Sequence, residues 1–228
     1  MLKDQWYRVK DKAKLITPAL LIYPERVKQN IESMIAISGD LNRLIPHVKT
    51  YKMSAVVKLQ MNYGIKEFKC ATLGELQMLI SCRVKHILFA IQPTREKLIR
   101  ILEAQKQYPE ISFSTLVDNE DSLTLFSNLA ETQNQKINLW LDINNGMNRT
   151  GVVTKSALKL YMKIYNDQNI NAKGVHVYDG HIRLKDLQQR IDQCNNDFKS
   201  VRDLIAEIQN LGGEVPEQIT GGSPSFYP

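Results

Sequence analysis

Cysteine is scarce in this chain. Cys70, Cys82 and Cys194 are the only three in 228 residues, and their spacing fits neither a metal-ligand set nor a disulfide framework. A disulfide-stapled scaffold is excluded as the basis of the fold, and a reducing, cytoplasmic setting is expected. Long hydrophobic runs are also missing. No segment approaches membrane-span length, and the N-terminus has Lys3 but no apolar stretch before Lys10, so no membrane partner is expected. Nor is there a dense basic block. The net charge is +6, from 30 Lys and Arg against 24 Asp and Glu. These cations are scattered along amphipathic segments without interleaved aromatics, which argues against nucleic acid as a partner. No Gly-x-Gly-x-x-Gly follows the first strand, so the usual nucleotide signature of an open doubly wound sheet is absent.

What is present is apolar material in alternating periods. Hydrophobic residues make up 43% of the chain, enough for one sizeable core. Residues 1–14 are mixed and charged and read as an N-terminal arm, leaving residues 15–228 for one domain. Thr17 to Tyr23 reads as a strand after a proline. Val27, Ile31, Met34 and Ile35 recur at helical spacing, and Gly39 closes that helix. Leu44 to Lys49 reads as the next strand, and Ser54 to Asn62 as a helix. Thr72 and Glu75 form a capping box opening another helix. Further strands are read at Glu67 to Ala71, His86 to Ala90, Ile111 to Val117, Ile137 to Asp142, Ala172 to Tyr178 and Glu214 to Thr220, with helical segments between them. Alternation of this kind predicts right-handed crossovers and a parallel α/β sheet or barrel. Seven strands from Leu44 onward leave a TIM-type barrel one strand short of closure.

Chemically useful residues gather at the C-terminal ends of these strands: Lys49, Asp142, Tyr178 and Gly221. A lysine at a barrel mouth can lose part of its hydration and serve as a Schiff-base nucleophile; taken alone, Lys49 reads rather as a surface lysine opening a loop. Gly221-Gly222-Ser223-Pro224-Ser225 lets backbone and hydroxyls approach an anion, or forms an ordinary turn. Arg149 stands in a polar loop between Gly146 and Gly151, its planar fork suited to a phenolate or carboxylate. Tyr178, Asp179 and His181 offer a hydroxyl, a carboxylate and an imidazole close together. His176 reads as a satisfied barrel histidine. With His181 alone it makes a weak metal site, since closed sites want three or four ligands.

Five motifs in one order carry a resemblance: Pro46-His47-Val48-Lys49-Thr50, Lys69 to Glu75, Asn144 to Gly151, Gly174 to His181, and Gly221-Gly222-Ser223-Pro224. Together they resemble the fold-type III pyridoxal 5′-phosphate enzymes of the alanine racemase type, and within them the D-threonine aldolase and D-serine dehydratase family. The resemblance covers nearly the whole chain from Thr17. It implies a lyase acting on a D-amino acid with a β-hydroxyl, by retro-aldol cleavage or by dehydration, through a Schiff base on Lys49, with His47 beside it. It also implies Arg149 at the cofactor O3′, Gly221, Gly222 and Ser223 at the phosphate, and Tyr178 near the pyridine ring. In the racemases of this fold an arginine pairs with the ring nitrogen, and the resemblance leaves Tyr178 or Asn144 nearer that role than any arginine. Tyr51 and His181 become substrate-proximal candidates.

Two departures bear on the substrate chemistry. The family pattern has arginine before Pro46 and histidine after Thr50, where this chain has Ile45 and Tyr51. The family's divalent metal, zinc or manganese, is held by a C-terminal β domain, and a homodimer is expected of the full-length protein. This sequence stops at Pro228, before an eighth strand and before any such domain, and reads as a fragment. A non-catalytic pyridoxal phosphate binder or an inactive truncated homologue is the alternative.

Overall fold

A computed structural model describes residues 7–227. Its centre is a parallel sheet in the order β1 (Glu67–Cys70), β2 (His86–Phe89), β3 (Ser112–Val117), β4 (Ile137–Asn144), β6 (Ile170–Val177) and β7 (Glu217–Thr220), with the two-residue β5 (Val152–Val153) paired to β4 off the main path. Helices α1 (Pro24–Ser38), α2 (Ser54–Asn62), α3 (Leu73–Ser81), α4 (Arg95–Gln107), α5 (Glu120–Thr132), α6 (Thr154–Asn166) and α7 (Leu187–Asn210) occupy the connections. This is a curled, open half-barrel of the TIM type that does not close.

The local chemistry accounts for most boundaries. α1 begins with Pro24, whose missing N–H costs nothing there, and ends on Gly39 at φ 69, a left-handed cap that glycine adopts freely. Thr72 caps α3 by accepting the Glu75 N–H. The Glu75 carboxylate then takes the Ala71 N–H at 2.8 Å, one residue before the cap. Asn119 and Asp186 cap α5 and α7 in the same way.

Two expected strands are corrected. Leu44 to Lys49 forms a single parallel bridge, His47 to Lys69, followed by a short 3-10 turn over Val48–Thr50. Pro46 has no N–H to give a ladder; its carbonyl accepts from Lys69 N at 2.8 Å. Thr17 to Tyr23 is extended but pairs with no strand, and Leu20 is 76% exposed. The seventh strand is therefore β5 rather than Leu44 to Lys49. Of the expected N-terminal arm, residues 1–6 lie outside the described residues.

Alternation along the strands builds two kinds of core. Outward residues such as Phe68, Cys70, Ile87 and Phe89 join one cluster under α2, α3 and α4, and Leu139, Leu141, Val175 and Val177 join another with α5, α6 and α7. Inside the curl, Leu88, Leu116, Trp140 and Ile219 form an apolar plug with Ile45 against it. A cavity of about 100 Å³ beneath the plug is lined from both edges of the sheet, by Glu67 and Phe68 on one side and Glu217 and Ile219 on the other.

β6 carries a bulge at Lys173, where the register with β4 shifts, and Gly174 follows it at φ 132. A Cβ there would overlap the Glu217 carbonyl of β7. Gly174→Ala therefore either parts β7 from β6 or unfolds the C-terminal end of the sheet. It is expected to cost at least about 2 kcal/mol in denaturant unfolding. A loss under about 0.5 kcal/mol would mean that this close approach is not needed.

Candidate functional site

The C-terminal ends of the strands carry a layered group of polar side chains above the apolar plug. In the lower layer, inward residues of three strands meet. Asp142 of β4 lies opposite His176 of β6 in register, and their side chains join at 2.7 Å, Oδ1 to Nδ1, both buried. Lys69 of β1 reaches across the curl, placing Nζ 3.4 Å from His176 Nε2. Burial, with the charges of Lys69 and Lys49, holds the His176 pKa below its ordinary value although Asp142 pulls the other way. Burial likewise brings Lys69 down to about 8, against the pull of Asp142 and with the push of Lys49.

The upper layer is more open. Lys49 is exposed on its 3-10 turn, its Nζ 5.8 Å from the centre of the Tyr178 ring. Arg149 approaches the same ring with Cζ at 5.2 Å. Two cations from distant parts of the chain thus face one aromatic ring, an arrangement the ring's quadrupole favours. His47 orders the turn, its Nδ1 accepting the Lys49 N–H at 3.2 Å. Burial, and next the charge of Lys49, drive His47 down to about 4.

Glycines let these elements close up. A Cβ on Gly180 would strike the Tyr178 hydroxyl, and one on Gly222 would stand 2.9 Å from Asp179 Oδ1 and 3.2 Å from Tyr178 Cε2. Gly221 N–H donates to the Val177 carbonyl, and Gly222 N–H to Ser225 Oγ at 2.9 Å. Ser223 is exposed at the tip. Gly221 and Gly222 therefore lie against the Tyr178 segment.

The remaining sequence candidates are placed differently. Asn144 is occupied in shaping its loop: Oδ1 accepts from Gly146 N and Asn148 N, and Nδ2 donates to Asn148. Tyr51 turns its hydroxyl onto Gln60 of α2 at 2.7 Å and packs against the outer cluster. His181 pairs through Nε2 with Asp197 of α7 at 2.9 Å, its ring against Gly146. Asp142, picked out in the sequence only by its place at a strand end, and Lys69, given no role there, stand at its centre. The signal was available for Lys69, since Phe68 and Cys70 are the apolar residues that face outward on β1. Among the described residues no three His, Cys, Asp or Glu side chains converge as a metal set, and no helix is long and apolar enough to cross a membrane.

A lysine, an arginine and a glycine-rich turn surround one tyrosine at the C-terminal mouth of a parallel half-barrel, the face at which barrels of this class carry their sites. The family described as alanine racemase, N-terminal domain, matches residues 22–227, and the chain belongs to it. It is 26% identical over 139 residues to a D-threo-3-hydroxyaspartate dehydratase of Delftia sp., covering 60% of this chain and 36% of that protein. It is 23% identical over 227 residues to a 3-hydroxy-D-aspartate aldolase of Paracoccus denitrificans, covering 95% and 57%. The chain thus spans about half the length or less of these relatives. Its fold matches D-threonine aldolase from Filomicrobium marinum with TM-score 0.81 at 22% identity, over 95% of this chain and 65% of that one. Alanine racemase from Clostridium difficile 630 matches at 0.70 and 14% identity, over 87% and 54%.

The depressed His47 gives a stability prediction. His47 stays neutral when folded down to about pH 4, whereas the unfolded chain takes up its proton near pH 6.5. Its contribution is complete above pH 6.5 and is lost as pH falls toward 4. Discounted for solvent screening at this half-buried site, the loss is about 1–2 kcal/mol. His47→Gln is expected to flatten that part of a pH-dependent urea series, and an unchanged slope would refute the assignment.

Proposed function

We propose that this chain forms the cofactor-binding barrel of a pyridoxal 5′-phosphate-dependent lyase acting on a D-amino acid with a β-hydroxyl group. The observation that carries the reading is the convergence of Lys49 and Arg149 on the Tyr178 ring, beside Gly221 and Gly222. The donor set fits the group. An exposed primary amine suits its aldehyde, an arginine its ring oxygen, an aromatic face its ring, and a glycine-rich turn with Ser223 its phosphate. Bound there, the cofactor supplies an electron sink for bond breaking at the substrate Cα.

The chain's own residues then have distinct tasks. Lys49 is the attachment amine and, when released, a base positioned for a proton at Cα. His47 is neutral at physiological pH and holds the Lys49 turn through its backbone bond. Arg149 brings permanent positive charge to an oxygen that would otherwise carry unscreened negative charge. Tyr178, braced by Gly180 and Gly222, supplies a fixed ring face. The plug of Leu88, Leu116, Trp140 and Ile219 keeps water from entering beneath. The choice between aldol cleavage and dehydration rests with groups that act on the β-hydroxyl, and relatives of both names match this chain.

The test is absorbance of the purified chain with pyridoxal phosphate, followed by borohydride fixation and peptide mapping. A visible band fixed onto Lys49, lost in Lys49→Ala and displaced by D-threonine or D-threo-3-hydroxyaspartate but not by the L-isomers, is the expected result. A folded chain that gives no Lys49-dependent band would sink the reading. A Lys49 band indifferent to all of these amino acids would leave a cofactor binder rather than a lyase.

A further inference from the structure

Three observations meet on Lys69. It is the inward residue of β1, and it bridges to a strand 107 positions away. Its acceptor, His176, is engaged on the other side by the buried Asp142. A carboxylate can only accept, so Nδ1 carries the imidazole proton, and Nε2 is left as an acceptor for the Lys69 ammonium. The chain of bonds therefore runs one way, from Lys69 through His176 to Asp142. The ammonium has three protons and spends one of them on His176.

We propose that Lys69 is a positioning residue of the Lys49 site: together with Asp142 it holds His176 as the Nδ1–H tautomer, by donating to Nε2, and its ammonium gives the pocket floor a positive charge that favours an anionic cofactor. The second half rests on the proposed cofactor reading; the first does not. The charged and titratable groups around Lys69 are Asp142 on β4, His176 on β6, and His47 and Lys49 on the segment bridged to β1. Glu75 acts on His47 from α3. His47 changes charge near pH 4, well below the range in which Lys69 does. Lys69→Met would keep most of the apolar stem and lose the donor, whereas Lys69→Arg would keep the charge without titrating.

The first measurement is nitrogen-15 NMR of the imidazoles in the whole chain, which has four histidines, so that each is assigned by a single substitution. His176 is expected as a neutral Nδ1–H tautomer, its Nε2 resonance moving with a midpoint near 8 as Lys69 loses its proton. Lys69→Met should abolish that titration, Lys69→Arg should hold the resonance constant, and Lys49→Ala should raise the midpoint by removing a like charge. An Nε2–H tautomer in the wild-type chain, or a titration that survives Lys69→Met, overturns the first half.

The second measurement is pyridoxal phosphate affinity near neutral pH. One charge-assisted contact corresponds to about tenfold weaker capture in Lys69→Met, with borohydride still fixing the cofactor to Lys49 and Lys69→Arg restoring most of the affinity. Wild-type affinity in Lys69→Met overturns the charge role while leaving the cofactor reading intact. A wild-type chain that captures no cofactor removes the cofactor reading and the charge role together, and the NMR result still decides the tautomer.

Discussion

The mouth of this barrel depends on the register between β4 and β6. Parallel pairing sets Asp142 beside His176 and Ile143 beside Val177, so the inward residue of one strand always meets the inward residue of the next. A slip of one position would turn Asp142 and His176 into the helix-facing core, where neither has a partner. Burying that pair is tolerable only because each satisfies the other. The same register carries on through Val177 to Thr220 of β7, which delivers Gly221 to the Tyr178 segment. Site geometry and sheet register are one constraint.

The curl separates two solvation problems that a flat sheet would mix. Outward residues are mostly apolar and bind the helices, and that is where most of the burial lies; the buried Thr115 among them is satisfied by the Phe89 and Ile91 carbonyls. The inner face is graded. Polar groups lie around the small cavity at the strand N-terminal ends, then comes the plug of Leu88, Leu116, Trp140 and Ile219, then the Lys69, His176 and Asp142 layer. Placing the polar layer directly on the plug lowers its dielectric surroundings, which strengthens the bonds within it and makes an unpaired member costly. That gradient explains why Lys69 falls to about 8 while remaining paired.

Much of the sheet was legible because its strands are short apolar runs or alternations with clear stops. His86 to Phe89 is a continuous buried-type run, and Ser54 to Asn62 matches its helix from end to end. The failures have physical causes. Leu44 and Ile45 are apolar enough for a strand, but Pro46 interrupts the donors and the chain tightens into a turn, leaving one bridge. Leu20, Leu21 and Ile22 look like a strand because the sequence records apolarity and not the presence of a pairing edge; the segment stands exposed. At the site, the motifs located Lys49, Arg149, Tyr178 and the glycines individually. Which of these meet is a matter of long-range packing, as in Lys69 reaching His176, and no local spacing encodes it.

Lys49 and Lys69 also impose a cost on one another that the fold offsets only in part. Asp142 sits behind His176, and Glu75 is engaged by the Ala71 amide and by Lys52 at 3.4 Å. Neither carboxylate pairs with Lys49 or Arg149, and a third, Asp179, lies buried against Gly222. Like charges held close in partly desolvated surroundings oppose one another, and such a pair attracts anions. Tyr178 moderates the repulsion between Lys49 and Arg149 by offering both the same ring, and a ring cannot supply a full counter-charge. Lys49 and Arg149 therefore meet at the barrel mouth over a ring rather than a carboxylate, and positive charge held in that way favours anions.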